Sequence, residues 1–477
     1  MSSDITADLA IIGSGSAAFA AAIAARRKDL TVVMIESGTV GGTCVNVGCV
    51  PSKALLATAS ARQSAADSRF PGAATDAAPV DWAAVRAAKD DLVATMREEK
   101  YTDLAAEYDW EILHGTARFT GTHEAPAVEV DLAGGGTQTV EAAHYLVATG
   151  ASPWAPPIPG LAETPYLTST TAMDLEALPE SMIVIGGNAI GLEQGQMFAR
   201  LGVQVTVIEA LDRLAPFEEP ELSEVITEAF AAEGIGVVTG ASITCAKFEG
   251  DAFAVAFTDV DGTDRKLDTG QLLVATGRRP NTDGLGLDKV GVALAERGAV
   301  AVDASLRTEN PRVWAAGDVT GYPQFVYNAA SGGTMVVANA FDEAGKEVDY
   351  TRLPRVTFTS PALASVGLTD AQAVEAGFEC DCRTLPMSAV PRAIVNRDTT
   401  GAVKLVADGE TGRLLGVHIA AEAAGDMILA GIYALRAGMT IEDMTDEWNP
   451  YLTEAEAIKL AAQTFTTDVA KLSCCAA

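Results

Sequence analysis

The chain opens with a pattern that repeats: a short apolar run, a glycine turn, an alanine-rich stretch of helical period, then a second apolar run. The first instance is ADLAIIGSGSAAFAAAIAARRKDLTVVMIES, whose last apolar run ends at Glu36. Continuous apolar runs, as opposed to alternating ones, mark strands buried on both faces of a parallel sheet. The segment therefore predicts a strand–helix–strand unit. A second unit of the same form begins at SMIVIGGNAIGLEQGQMFARLGVQVTVIEALDR, with Gly186 in the place of Gly13. Two further runs end alike, in HYLVATGASP and QLLVATGRRPN, and mark passages between domains; VWAAGDVTG is another strand ending, at Gly317 and Asp318. From about Tyr350 the pattern changes to alternating segments such as RVTFTS and GAVKLVAD, followed by helix-like runs.

Both turns carry the signature of a Rossmann-like, dinucleotide-binding domain. Gly13, Gly15 and Ala18 fill G-x-G-x-x-A: the first glycine permits the tight turn, the second lets backbone approach a pyrophosphate, and the small third residue lets helix pack on strand. Glu36, at the end of the following strand, is placed to hydrogen-bond a ribose. In the second unit Gly186 and Gly191 flank Asn188, which departs from the pattern, and Glu209 repeats the ribose-binding acid. A carboxylate there accepts from the free 2′-hydroxyl of NADH and repels the 2′-phosphate of NADPH, so NADH is the expected cofactor, with Arg213 nearby as the one opposing feature. The predicted fold is α/β: two Rossmann-like domains, the first in two parts at 1–150 and 276–348, the second at 151–275, and a C-terminal α+β domain at 349–477.

Charge narrows the partners. With 33 Lys+Arg against 64 Asp+Glu the formal net charge is -31, which disfavours nucleic acid and anionic membranes. No apolar run approaches the ~18 residues of a membrane span, and no basic start followed by an apolar run opens the chain, so a cytoplasmic protein is expected. The seven cysteines are an odd number, grouped as Cys44/Cys49, Cys380/Cys382 and Cys474/Cys475 with Cys245 alone. In a reducing compartment such pairs are more often catalytic or metal-binding than structural.

GGTCVNVGCVPSK sets Cys44 and Cys49 five apart just after the first unit. On one helix that spacing is expected to bring both thiols near one face, where a disulfide can form and open. A zinc site needs more ligands, and none of the four histidines is near in sequence; inert buried thiols are the third reading. Taken together, this stretch, both glycine turns, both ATG endings and Gly317–Asp318 resemble the flavin-dependent pyridine nucleotide disulfide oxidoreductases, in the family's order and over nearly the whole chain. The resemblance implies FAD in the first domain, with Glu36 on its adenosine ribose and Asp318 on its ribityl chain. It implies NADH or NADPH at 151–275 and a homodimer formed through 349–477. It also implies Lys53 beside the flavin and paired with Glu193, Cys49 facing the flavin, and Cys44 as the outer thiol that exchanges with substrate.

KLSCCAA and PYLTEAEAIKLAAQTF resemble the branch of this family that reduces mercuric ion. Disulfide reductases of the family carry a catalytic His where this chain has Asn449, in NPYLTE, although Glu454 is kept. An amide cannot protonate a departing thiolate, whereas a soft cation held by thiolates needs no proton shuttle at each step. In the resemblance, Tyr101 and Tyr451 line the metal site, Tyr451 from the partner subunit. Cys474 and Cys475, on the tail, capture Hg(II) from small-thiol complexes and pass it to Cys44 and Cys49 of the other subunit. Many relatives carry an extra N-terminal metal-binding domain, whereas this chain starts almost directly at the flavin fold, so delivery is expected to rely on the tail and on small thiols. Cys380, Cys382 and Cys245 are expected to be structural or incidental, with metal capture by the C-x-C pair left open. The rival readings are a disulfide reductase of the same fold, such as a dihydrolipoamide dehydrogenase, and a thiol protein that sequesters metal without turnover.

Overall fold

The computed structural model describes residues 4–321 and 323–473, so the tail pair Cys474 and Cys475 lies outside the described residues. The chain forms two compact units. One contains residues 1–54, 84–154 and 277–348; the other contains 55–83, 155–276 and 349–477.

In the first unit, strand Ile5–Ile12 lies between Val32–Glu36 and Thr137–Val147, parallel to both, and Val313–Ala315 adds a further parallel strand beside Thr137–Val147. Strand Glu111–Gly121 continues the sheet beside Val32–Glu36 and then turns into an antiparallel meander with Pro126–Leu132. The apolar runs are continuous because both faces are covered. Ala10, Ile12, Val33 and Ile35 pack on one side, while Leu9, Ile11, Val32 and Met34 pack on the other against the helix Ser16–Arg26. Each of the Val, Leu, Ile and Met side chains among these contributes about 1.5–3 kcal/mol on burial. The alanines of that helix, Ala17, Ala18, Ala21, Ala22 and Ala25, are all buried and keep its surface flat. Gly333, on the helix Val326–Asp342, approaches it so closely that a Cβ would stand 2.0 Å from Ala17 O. Gly333→Ala would force these helices apart.

The second unit repeats the parallel pattern in the order Gln271–Val274, Ser181–Ile185, Gln204–Ile208, Gly236–Val238. It adds a three-stranded antiparallel sheet, Ser242–Glu249, Ala252–Thr258 and Asp264–Thr269. From Arg355 the chain builds the five-stranded antiparallel sheet expected of an α+β segment, with Leu414–Ala421 central and Cys380–Pro386 at one edge. Its core, with Val403, Leu405, Val417 and Ile419 from the strands, is closed by Met427, Ile428, Ile458 and Leu460 from helices Ala424–Ala437 and Glu456–Gln463. No described helix is long and apolar enough to cross a membrane.

Candidate active site

Gly13 and Gly15 do different work. Gly13 sits at φ 106°, and a Cβ on it would stand 2.4 Å from Ala148 O, so only glycine makes that turn without displacing backbone. Nothing lies within 4 Å of where a Cβ on Gly15 would be. That open side faces out at the N-terminus of helix Ser16–Arg26, where exposed N–H groups and the helix dipole favour a phosphate. Ala18, fully buried, packs the helix onto the sheet. Glu36 ends its strand with its carboxylate accepting from Ser14 Oγ and from Gly38 N, both at 2.6 Å. A carboxylate has lone pairs to spare for a ribose hydroxyl beyond these two. Asp318 follows Gly317 at the end of strand Val313–Ala315; burial pushes its carboxyl up, and the charge of Arg278 works against that. An open phosphate turn, a carboxylate at the strand end and a second acid beyond it fit a flavin dinucleotide.

The thiols stand next to this turn. A single helix carrying both is not what forms. Cys44 lies in helix Gly42–Val47, and Cys49 opens a separate helix, Cys49–Ala66. Gly48 breaks the run at φ −127°, ψ −110°, approaching so closely that a Cβ there would stand 2.9 Å from Thr43 O. The half-buried thiols nevertheless meet, because Cys44 hydrogen-bonds Cys49. That bond, then burial, then charge on Cys49 push the Cys44 thiol well above its ordinary range, opposed by the ammonium of Lys53. The pair thus gives up one proton more readily than two. A Cβ on Gly42 would stand 2.6 Å from the Gly15 Cα, so the first cysteine helix is seated directly on the phosphate turn.

Tyr101 comes from a π-helical turn, Glu98–Thr102, and rests edge-on against Phe19 with ring centroids 4.8 Å apart. Burial first, then the proximity of Cys44, raises its phenol above the usual value, while a hydrogen bond with Ser16 acts the other way. It is a neutral phenol beside the sulfurs. Arg278 is a member of the site that sequence reasoning missed. Its Nη2 bonds the carbonyl of Ala151 and reaches Thr43 Oγ1 at 3.4 Å, and its guanidinium feels both Asp318 and Cys49 while burial lowers its pKa. The signal was present as the first arginine after the second ATG ending.

In the second unit the nucleotide turn is built the same way. Gly186 sits at φ 111°, with a Cβ position 2.5 Å from Ala275 O, and a Cβ on Gly191 would lie 1.9 Å from Gly186 O. Asn188, the departure from the pattern, is the N-cap of helix Ala189–Arg200 and leaves the turn intact. Glu209 accepts from Gly187 N at 2.6 Å and from Leu211 N at 2.8 Å. Arg213 directs Nη2 to the carbonyls of Pro216 and Glu218. Glu193, on the same helix, is buried and accepts from Phe358 N at 2.9 Å. Nearer the C-terminus, Tyr451 is half exposed and Asn449 exposed. Glu454 accepts from Ala423 N at 3.1 Å and from Asn396 Nδ2 at 3.3 Å, so the carboxylate retained beside Asn449 ties down local backbone.

Two nucleotide turns and a dithiol define a class. The family model for pyridine nucleotide-disulphide oxidoreductases matches residues 7–333, and that of the family's dimerisation domain matches residues 353–462. The chain belongs to this family. Among curated relatives it is 58% identical over 470 residues to the mercuric reductase of Streptomyces lividans, covering 98% of each chain. It is 45% identical to that of Staphylococcus aureus, covering 98% of this chain and 84% of the relative. Among solved structures, the Cu(II) complex of the HOCl-induced flavoprotein disulfide reductase RclA of Escherichia coli superposes with a TM-score of 0.86 at 28% identity, covering 96% of this chain and 99% of that one. LpdA of Mycobacterium tuberculosis gives a TM-score of 0.86 at 27% identity, over 96% and 100%.

Proposed function

We infer that the chain acts as a mercuric reductase, taking Hg(II) onto Cys44 and Cys49 and releasing Hg(0) at the expense of a reduced pyridine nucleotide. The observation that carries this reading is the mutually hydrogen-bonded thiol pair with a neutral phenol beside it, in a chain so similar to mercuric reductases. Gly13, Gly15, Ala18, Glu36 and Asp318 would hold FAD, which when bound supplies a two-electron path from nicotinamide to the thiol-held cation. Soft thiolates select soft cations. Hg(II) arrives on two small thiols, and each Hg–S bond to a carrier breaks as one to Cys44 or Cys49 forms. Any proton the pair still holds leaves on a departing carrier, so the exchange balances without a general acid. The Lys53 charge favours the ionised pair, and Tyr101 offers an oxygen that does not displace sulfur.

Asn449 in place of a base argues against efficient disulfide reduction, which must protonate a leaving thiolate. The protein works as a homodimer through the dimerisation domain. Exposed Leu429, Tyr433, Trp448 and Tyr451 supply apolar surface for that contact, and Tyr451 reaches the metal site of the other subunit. Cys474 and Cys475 act as the carrier pair of the tail. NADH is the preferred donor: Glu209 repels a 2′-phosphate, and Arg213 is committed to carbonyls. The test follows NADH oxidation with Hg(II) in excess small thiol while mercury vapour is trapped, and in parallel with lipoamide or oxidised glutathione. Mercury-dependent oxidation with release of Hg(0), and little with either disulfide, is expected; the reverse pattern would overturn the reading.

A further inference from the structure

A second thiol pair stands on the edge strand Cys380–Pro386 of the five-stranded sheet, in the unit that does not contain Cys44 and Cys49. Residues two apart on a strand share a face, and the sulfurs of Cys380 and Cys382 lie 2.7 Å from each other. A third donor comes from a different element. Asp370, first residue of helix Asp370–Glu375, places a carboxylate oxygen within 4.8 Å of both sulfurs. That residue is fixed independently of the thiols. Its N–H donates to Glu219 Oε1 at 2.6 Å, and Thr369 with Gln372 closes a capping box around it. Buried Ala373, Val406 and Leu415 form an apolar floor under the sulfurs, which remain half-buried and reachable. Lys404 Nζ, 3.9 Å from Asp370 Oδ2 and 2.9 Å from both Glu219 Oε2 and Glu221 Oε1, offsets part of the local negative charge, which stays net negative and favours a cation.

We propose that Cys380, Cys382 and Asp370 form an accessory binding site for one soft, thiophilic cation, separate from the redox pair. Two sulfurs with one oxygen favour a soft ion over Mg²⁺ or Ca²⁺, which take oxygen cages. Loading breaks two S–H bonds and two bonds from the ion to its carrier ligands and forms two metal–sulfur bonds; the protons pass to the freed carriers or to solvent and no electrons move. A tetrahedral ion at about 2.3 Å from each sulfur needs them about 3.8 Å apart, so one cysteine side chain rotates outward as the ion enters. The site holds a cation and does not reduce it.

The experiment uses the full-length flavoprotein dimer with Cys44, Cys49, Cys474 and Cys475 replaced by serine, which cannot turn mercury over. Failure of the accessory site is thereby read separately from failure of the reductase. Hg(II) is added with excess glutathione, the protein is desalted, and metal per chain is measured; Cd(II) is run in parallel for thiolate-to-metal absorption. About one ion per chain is expected. Retention should fall at least tenfold with Cys380→Ser or Cys382→Ser, several-fold with Asp370→Asn, and not at all with Cys245→Ser. Equal retention with and without the C-x-C thiols, or none in the parent, would overturn the proposal. Circular dichroism of each variant separates lost metal from a lost fold.

Discussion

Alanine at Gly13 should damage the fold, whereas alanine at Gly15 should spare the fold and weaken flavin binding. At Gly13 the new Cβ meets Ala148 O at 2.4 Å, and the backbone holds φ 106°. The left-handed conformation costs an L side chain about 1–2 kcal/mol, and forcing a packed backbone aside costs about 1–3 more. Gly13→Ala should therefore lose about 2–5 kcal/mol of apoprotein stability. Gly15, at φ −79° with nothing within 4 Å of its Cβ position, accepts alanine freely. Gly15→Ala should change apoprotein stability by no more than about 1 kcal/mol, the stiffer unfolded chain opposing the poorer helix N-cap. Its methyl group would occupy the side open to the pyrophosphate, and overpacking of about 1–3 kcal/mol there weakens flavin binding by about 5- to 150-fold. Denaturant unfolding of flavin-stripped protein, with flavin titration followed by fluorescence quenching, reads both quantities. A Gly15→Ala protein that binds flavin as tightly as the parent would refute the assignment of that open side, and an apoprotein unharmed by Gly13→Ala would refute the close approach.

Two further outcomes follow from the titrating and charged groups. The Cys44 thiol is held protonated by its bond to Cys49, so Hg(II) uptake must expel that proton. Measured against iodide, which does not titrate, affinity should rise with pH by about tenfold per unit for each proton displaced; a flat profile would contradict it. Glu209→Gln removes a charge that costs a 2′-phosphate about 1–4 kcal/mol at close range. The ratio of kcat/KM for NADH over NADPH should then fall at least about fivefold, and an unchanged ratio would remove Glu209 from cofactor choice.

The parallel sheets and both nucleotide turns were legible because their physics is local: apolar runs, a glycine at positive φ, a small residue under the helix. The meeting of Cys44 with Cys49 was also legible, although by a different route from the one expected. Gly48 splits the helix because the chain closes on Thr43, a contact that periodicity does not encode. Arg278 escaped notice because its partners, Asp318, Thr43 and Cys49, are remote in sequence and converge only in the fold. The same holds for Asp370, which reaches Cys380 and Cys382 from a neighbouring helix. The spacing C-x-C alone did not distinguish a metal cluster from incidental thiols.

The seat of Gly42 on Gly15, with the bond from Ser16 to the Tyr101 phenol, makes phosphate turn and thiols one mechanical piece. Linkage is reciprocal: whatever free energy a seated phosphate adds to the ordering of Cys44 and Tyr101, a cation on the thiols returns to the phosphate. Mercury-loaded protein should on this account surrender its prosthetic group more slowly than empty protein.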